Sequence, residues 1–481
     1  MRVVRPHAVV LVSLFLLCLA IPPGSSIADT AEAPLLLWEA SFDSYPDMGG
    51  NGYDVLHDLV PTEDGGAVAA GYAIPPGSHA PGGKPQQALL VRLDALGAEV
   101  WHTYLGEVAN DGYEVRRVRK TSGGGFVVAC VAWTPFGFGS AGMYYNTSFV
   151  AKLDGAGAEQ WRYRIAPVLL DEVGDIDVLP DGSVVAAGRV WTAGGGTSTA
   201  VAKISSTGSL LWLRKELPDY IENVGRIAAA PDGGFFATSS AGYGLTLARY
   251  APDGRYLWSV PVGELDGELN LNEKAVHGIT VKADGGSIVA GATRYNYGGS
   301  YGPFRPFLAT FDARGRQTAT LVVPTLSKWV HAVERLADGG LVAAEGVEGS
   351  NTGPVFIRYD REGNELWRSG FGAPLAERYI HAIRVTGKGE IVAAGAIWGI
   401  GTWAPLDGYV MMTEGMAPDQ GSGKGKSRVQ PACRKACHED HRQWVDLCLA
   451  NHNPREITPS ARGRCVDAGA ERLHRCLKGC R

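Results

Sequence analysis

The sequence predicts an all-β domain built from seven repeated units of four antiparallel strands, followed by a small helical hairpin. Two interleaved motifs and a palindrome of cysteines lead to this prediction. The first motif is a tight turn followed by an apolar strand, and its seven copies begin at Asp64, Gly123, Asp181, Asp232, Asp284, Asp338 and Lys388, 50 to 59 residues apart. The second motif is a turn and strand that end in Trp101, Trp161, Trp212, Trp258 and Trp367, with a degenerate copy at Ala319.

Each unit contains four strand-like runs with two tight turns. In the fifth unit the runs are VHGITVK, GSIVAGAT, PFLATFD and QTATLVV. Four strands repeated at about 50 residues are typical of the blades of a β-propeller. We therefore expect a seven-bladed β-propeller over residues 35–415. The Asp of each Asp-x-x-Gly turn should cap its own turn, and the Trp residues should pack between blades.

The last unit lacks its Trp-containing strand. The segment LLLWEASF near the N-terminus provides one, because Leu37-Trp38 matches Leu211-Trp212 of a complete unit. We therefore expect the N-terminal strand to close the last blade, which removes an exposed sheet edge.

Residues 1–28 have the pattern of a secretory signal peptide. Arg2 and Arg5 precede an apolar run from Ala8 to Ile21, and Ser26-Ile27-Ala28 offers small residues before a cleavage site. We expect a secreted or periplasmic protein with no transmembrane span in the mature chain. The net charge of −5 argues against a nucleic-acid partner.

The C-terminal residues differ in composition. A flexible linker over 416–430 leads to a hairpin over 431–481 with cysteines at 433, 437, 448, 465, 476 and 480. Their spacings of 4, 11, 17, 11 and 4 are palindromic, so two antiparallel helices would pair Cys433 with Cys480, Cys437 with Cys476 and Cys448 with Cys465. A metal site using Cys433, Cys437, His438 and His441 is the alternative.

The hairpin is basic. From Lys424 onward there are thirteen Lys or Arg against six Asp or Glu, a net charge of +7 that leaves −12 for the rest of the chain. Such a module could dock on the acidic propeller or bind an anionic envelope polymer, or its charges could form a solvated face.

The two motifs, which can be written KLDxxGxxxW and DGGxxxAG, resemble those of a large group of exported bacterial β-propeller repeat proteins from Leu35 to Glu414. The resemblance implies the fold and is nearly silent on activity, because most members of that group are uncharacterised. The Trp motif also resembles, more distantly, the repeat of quinoprotein dehydrogenases. Residues for a disc-shaped cofactor of that kind cannot be located in the sequence.

One position in the first strand of each unit carries the candidate site. The residues seven positions before each turn motif are His57, Arg116, Gly174, Gly225, His277, His331 and His381. The first strand of a blade lines the central channel, and closure makes the four histidines neighbours from blades five, six, seven and one. The sequence therefore predicts an arc of imidazoles at the loop-side mouth of the channel, extended by Arg116.

This arc allows three interpretations. His277, His331 and His381 could hold a divalent transition metal such as Zn, Mn or Cu with open coordination positions. The histidines and Arg116 could instead hold an anion such as a uronate carboxylate. They could also be packing residues that hydrogen-bond to backbone carbonyls.

Aromatic residues are frequent in the variable loops on the same face. They are Tyr295, Tyr297, Tyr301, Phe304, Trp133 and Tyr144, and they suit stacking on sugar rings or packing against their own loops. The sequence therefore favours an exported propeller that binds a carbohydrate or surface polymer on its loop face. One alternative is a metal-assisted polysaccharide lyase or hydrolase that uses the arc of histidines. In it His277, His331 and His381 would hold the metal, Arg116 the substrate carboxylate, and His57 would be the base. Another is a scaffold or adhesion protein without activity.

Overall fold

The computed structural model describes most of the predicted propeller domain. The described residues are 33–42, 53–75, 86–106, 112–134, 145–165, 172–191, 197–215, 223–241, 244–263, 273–294, 296–297, 300–301, 304–323, 329–346, 355–370, 377–398 and 405–416. The predicted signal peptide, the six-cysteine hairpin and the linker beyond Met416 lie outside these residues.

The described chain forms a seven-bladed β-propeller, as the repeats predict. Each blade is a four-stranded antiparallel sheet, and the strands follow one another outward from the central channel. Blade one contains β2 (Tyr53–Pro61), β3 (Ala67–Ile74), β4 (Gln87–Leu93) and β5 (Glu99–Leu105). Blade two contains β6 (Gly112–Lys120), β7 (Phe126–Thr134), β8 (Tyr145–Leu153) and β9 (Glu159–Ile165). Blade three contains β10 (Glu172–Val178), β11 (Val184–Trp191), β12 (Thr197–Ile204) and β13 (Leu210–Lys215).

The remaining blades repeat this arrangement. Blade four contains β14 (Asn223–Ala229), β15 (Phe235–Ala241), β16 (Gly244–Tyr250) and β17 (Tyr256–Pro261). Blade five contains β18 (Glu273–Val281), β19 (Ser287–Arg294), β22 (Arg305–Phe311) and β23 (Gln317–Val322), with a small hairpin of β20 (Asn296–Tyr297) and β21 (Ser300–Tyr301). Blade six contains β24 (Trp329–Arg335), β25 (Leu341–Gly346), β26 (Val355–Tyr359) and β27 (Glu365–Gly370).

Blade seven takes strands from both ends of the described chain. It contains β28 (Glu377–Val385), β29 (Glu390–Trp398) and β30 (Pro405–Gly415), and its outermost strand is β1 (Leu36–Phe42). The strand β1 is antiparallel to β30, with Trp38 opposite Met412. Backbone hydrogen bonds thus join the first described strand to the last.

The tight turns form for a local reason. Asp94 accepts hydrogen bonds from the backbone N–H groups of Leu96 and Ala98 at 2.8 and 2.9 Å, and Asp154 does the same for Ala156 and Ala158 at 2.9 Å. The predicted capping role of this Asp is therefore confirmed at both turns.

The hydrophobic core is divided into seven clusters among the described residues, and each lies between two adjacent blades. Successive residues of one strand face opposite neighbours, because side chains alternate across a sheet. Val68 and Ala70 of β3 face blade two, for example, whereas Ala67 and Ala69 face blade seven. Cys130 is fully buried in one of these clusters as a free thiol.

At five of the seven blade interfaces a Trp ring packs on a turn glycine of the next blade, which agrees with the predicted packing between blades. The Trp101 ring of blade one packs on Gly157 in the turn of blade two, and Trp38 packs likewise on Gly97. Both glycines have positive φ angles, +83° at Gly157 and +80° at Gly97. An added Cβ would lie 3.0 Å from the Trp101 ring at Gly157, so this contact requires the absence of a side chain.

No helix appears in the described part of the chain, and accordingly none there is long and apolar enough to cross a membrane.

We expect Gly157→Ala to lower the free energy of unfolding by about 1–3 kcal/mol, because the new side chain meets the Trp101 ring and φ is positive. Urea unfolding followed by tryptophan fluorescence would measure this. Gly123→Ala is the matched control, since a Cβ at Gly123 meets no atom within 4 Å. Equal midpoints for the two variants would contradict this account of the interface.

Candidate functional site

The seven predicted channel residues occupy one structural position. In every blade the pairing of the innermost strand with its neighbour skips one residue, which makes a β-bulge. The skipped residues are His57, Arg116, Gly174, Gly225, His277, His331 and His381. A bulge leaves one residue outside the regular alternation and turns its side chain in a new direction.

The four histidines line one cavity in the channel. Its volume is about 20 Å³, which is room for one or two water molecules. The His57 and His381 rings lie edge to face with centroids 5.5 Å apart, so blades one and seven are neighbours here. His331 makes a similar contact with Tyr379 at 5.9 Å. The predicted arc of imidazoles is therefore present.

The histidines are held in their neutral form at neutral pH. Burial, followed by the positive charges of Arg116 and Arg117, lowers the pKa of His57 to about 4. Burial and Arg226 lower the pKa of His277 to about 3. Burial also lowers the pKa of His331. Burial, followed by His57 and His331, lowers the pKa of His381 to about 3, although part of this side chain faces the open channel.

Arg116 is already paired. Its guanidinium contacts the carboxylate of Glu114 and lies 3.3 Å from that of Glu172. The Nε2 atom of His57 lies 3.7 Å from Glu114, which is buried. The two residues predicted as catalytic therefore share a buried carboxylate. Their catalytic role stays a prediction.

A network of Asp and Arg side chains crosses the channel beyond the histidines, and none of its residues was predicted from the sequence patterns above. Asp58 of blade one accepts hydrogen bonds from Arg119 of blade two and Arg384 of blade seven, both at 2.7 Å. Arg119 also donates to Asp175 of blade three at 2.7 Å. Arg117 lies 3.3 Å from the same carboxylate. This network joins four blades.

The same carboxylates bind backbone groups of the next blade. Asp58 accepts from the N–H of Val118 at 3.2 Å, and Asp175 accepts from the N–H of Ile227 at 2.9 Å. Burial would raise the pKa of Asp58, but the charges of Arg384, Arg119 and Arg117 and the Val118 N–H hold it well below its usual value. Asp58 is therefore ionised, and both carboxylates hold neighbouring blades together.

A comparison of blades would have found this network in the sequence. The residue after each channel position is charged in blades one to four and small in blades five to seven. In chain order these residues are Asp58, Arg117, Asp175, Arg226, Gly278, Ala332 and Ala382. Only the charged residues of this set have side chains that bond to the inner strand of another blade.

The predicted aromatic contacts are described only in part. Tyr144 and Tyr295 lie outside the described residues, and so do the side chains of Trp133, Tyr297 and Tyr301. Phe304 is half-buried, and the Arg294 guanidinium lies 4.7 Å from the centroid of its ring. One face of this ring is thus covered.

The grouping of possible metal ligands among the described residues bears on the metal interpretation. Among them, no three His, Cys, Asp or Glu side chains are grouped closely enough to hold a metal ion. His57 Nε2 and His277 Nδ1 are buried without a hydrogen-bond partner. The role of His277, His331 and His381 as metal ligands stays a prediction.

Known proteins resemble this chain in fold alone. No family model and no curated protein matches it. A solved polysaccharide lyase matches at 11% identity and a TM-score of 0.47, over 80% of this chain and 99% of that one. A europium-containing methanol dehydrogenase matches at 12% identity and a TM-score of 0.39, over 79% of this chain and 93% of that one. These values concern the arrangement of strands and indicate no activity.

The lowered pKa values of the histidines predict that the folded protein becomes less stable in acid. An unfolded histidine titrates near 6.5, so the unfolded chain binds more protons than the folded protein between pH 6.5 and about 4. The free energy of unfolding should therefore fall as the pH drops through this range. In His277→Gln the free energy of unfolding should fall less steeply with decreasing pH, by up to about 1.4 kcal/mol per pH unit. Urea unfolding at pH 7, 6, 5 and 4.5 would test this, and equal slopes in parent and variant would refute it.

Proposed function

We propose that the protein binds an anionic group of an extended ligand, such as a carboxylate of an acidic polysaccharide, at the loop-side mouth of the channel. The observation that carries this proposal is the lining of the small channel cavity. It contains four imidazoles and three guanidinium groups but one carboxylate, and the charged members are Arg117, Arg226, Arg384 and Asp58.

The balance of charge favours an anion. Asp58 is bound to Arg119 and Arg384 and forms no ion pair with Arg226 among the described residues. Guanidinium groups form charge-assisted hydrogen bonds with carboxylates, and a narrow channel focuses their field. A neutral imidazole still carries one N–H, so the histidines can donate hydrogen bonds to an anion without being positively charged. A carboxylate that enters from the loops would meet these donors together.

The size of the cavity limits what can enter. A volume of about 20 Å³ has room for one or two water-sized groups, such as the oxygens of a carboxylate, but not for a sugar ring. The rest of the ligand would lie among the variable loops, where Tyr295, Tyr297 and Trp133 occur in the sequence. Flat aromatic rings stack on sugar rings. A secreted or periplasmic location, which the signal-peptide pattern predicts, would bring the protein to such polymers.

Binding accounts for the geometry more simply than catalysis does. A polysaccharide lyase would need Arg116 to hold the substrate carboxylate, but Arg116 contacts Glu114 and Glu172. It would also need His57 as a base, and a pKa of about 4 makes this imidazole a weak one. A lyase or hydrolase would therefore require these ion pairs to exchange when the substrate binds.

A metal-dependent site is the second candidate. It is favoured by the buried, unpartnered nitrogens of His57 and His277, because neutral imidazoles are the form that ligates metal. His277, His331 and His381 would hold Zn, Mn or Cu, and the ion would polarise a bound anion.

We expect the intact protein to bind tetragalacturonate more tightly than the uncharged maltotetraose. His381→Ala should weaken uronate binding about tenfold, which is the effect of losing one hydrogen bond to a charged group, and thermal unfolding would confirm that the variant is folded. Isothermal titration calorimetry would measure both. His102→Ala, at an exposed histidine on outer strand β5, is the matched control. Equal affinity for the charged and uncharged sugars would exclude the anion site.

The metal candidate makes a separate prediction. Plasma mass spectrometry of the tag-free protein, after incubation with Zn²⁺, Mn²⁺ and Cu²⁺ and dialysis, should then find about one ion per chain. A variant with His277, His331 and His381 changed to Ala should retain none. Anion binding without metal predicts no bound ion in either protein.

A further inference from the structure

A second, larger cavity lies farther along the channel, toward the tight turns. Its volume is about 140 Å³, and its walls include Arg226, Gly278, Thr280, Glu334, Arg335 and Arg384. Arg226 and His277 border both cavities, whereas Gly278 and Glu334 border only this one. We call it the lower chamber.

The lower chamber exists because blade five contributes small residues to the channel. Blades one to four have Asp or Arg directly after the channel position, and blade five has Gly278 there. A Cβ added at Gly278 would meet no heavy atom within 4 Å. Thr280, two residues later, is also short. The space that a charged side chain fills in other blades is therefore open.

Most charged groups near the lower chamber are paired. Asp175 contacts Arg119 and the backbone N–H of Ile227. Asp177 accepts from the N–H groups of Val178 and Ala229 at 2.9 and 2.7 Å. Arg384 is bound to Asp58. These groups have their hydrogen bonds inside the protein and need no ligand.

Arg226 and Glu334 differ from the others. Arg226 donates to the carbonyl oxygens of His277 and Gly225 at 3.0 and 2.7 Å, and no carboxylate of the described residues lies within 4 Å of it. Glu334 forms no ion pair closer than 4 Å among the same residues, and the charges of Arg384 and Arg119, which favour its ionised form, do not offset its burial. Burial lowers the pKa of Arg226 to about 9 and raises that of Glu334. Opposite charges act on both groups from a distance, Asp175 and Asp58 on Arg226 and Arg384 and Arg119 on Glu334, but neither group has a partner in direct contact. A buried charge without a direct ion pair is costly, so an oppositely charged ligand would stabilise each group.

We propose that the lower chamber binds a small zwitterion of the α-amino acid class, with its carboxylate on Arg226 and its ammonium on Glu334. The volume suits such a molecule, because a protein cavity of about 150 Å³ holds benzene. Arg335, which ends β24 beside the chamber, gives the carboxylate a second guanidinium. The hydrocarbon part would lie over Gly278 and Thr280.

Glycine, acetate and methylammonium are the probes that test this proposal. They would be titrated into the full-length protein by calorimetry and ligand-observed NMR. We expect saturable binding of glycine, with acetate and methylammonium at least tenfold weaker because each satisfies only one of the two groups. Absence of saturable glycine binding, or equal affinity for acetate or methylammonium, would overturn the proposal.

Two variants would show whether glycine binds in the lower chamber. Gly278→Leu should abolish glycine binding by filling the chamber, and Glu334→Gln, which keeps the shape and removes the charge, should weaken it at least tenfold. Gly370→Leu is the control, since a Cβ there also meets no heavy atom within 4 Å, and it should bind as the parent does. Thermal unfolding would confirm that each variant is folded. Unchanged affinity in a folded Glu334→Gln protein would place glycine elsewhere. Because His381 does not border the lower chamber, His381→Ala should leave glycine binding intact.

Discussion

The free backbone edge of the seven innermost strands is the constraint on which the rest of the channel depends. Each of these strands pairs on one side only, so its other N–H and C=O groups face the channel. Buried backbone groups need partners, and here the side chains of the channel provide them. Carboxylates accept from N–H groups of the next blade, as Asp58 does from Val118. Guanidinium groups donate to carbonyls, as Arg226 does to His277.

The residue that follows each bulge divides the ring of seven inner strands into two parts. Blades one to four place charged side chains across the channel, and their hydrogen bonds hold neighbouring inner strands together. Blades five to seven place small residues there and histidines at the bulges, and among the described residues of these blades only blade seven joins the ionic network, through Arg384. The two cavities therefore lie where the inner strands carry the smallest residues after the bulge.

The outer parts of the blades serve stability. Seven apolar clusters between blades and the Trp contacts on turn glycines repeat around the ring, and β1 joins the two ends of the described chain. Because each blade contacts only its neighbours, such a scaffold tolerates variation in the loops that emerge from it. The loops of such a scaffold can therefore vary in sequence without changing the fold.

The sequence by itself determined the number of blades, the turn chemistry, the Trp contacts and the shared position of His57, His277, His331 and His381. These features depend on local patterns that repeat with a fixed period, so seven copies can be aligned against one another. The sequence did not reveal the bulges, the pairing of Arg116 with Glu114 and Glu172, or the two cavities. Only the tertiary structure decided these, because they depend on how side chains from different blades, such as Asp58 and Arg384, meet across the channel. Residues 326 positions apart become partners only when the ring closes.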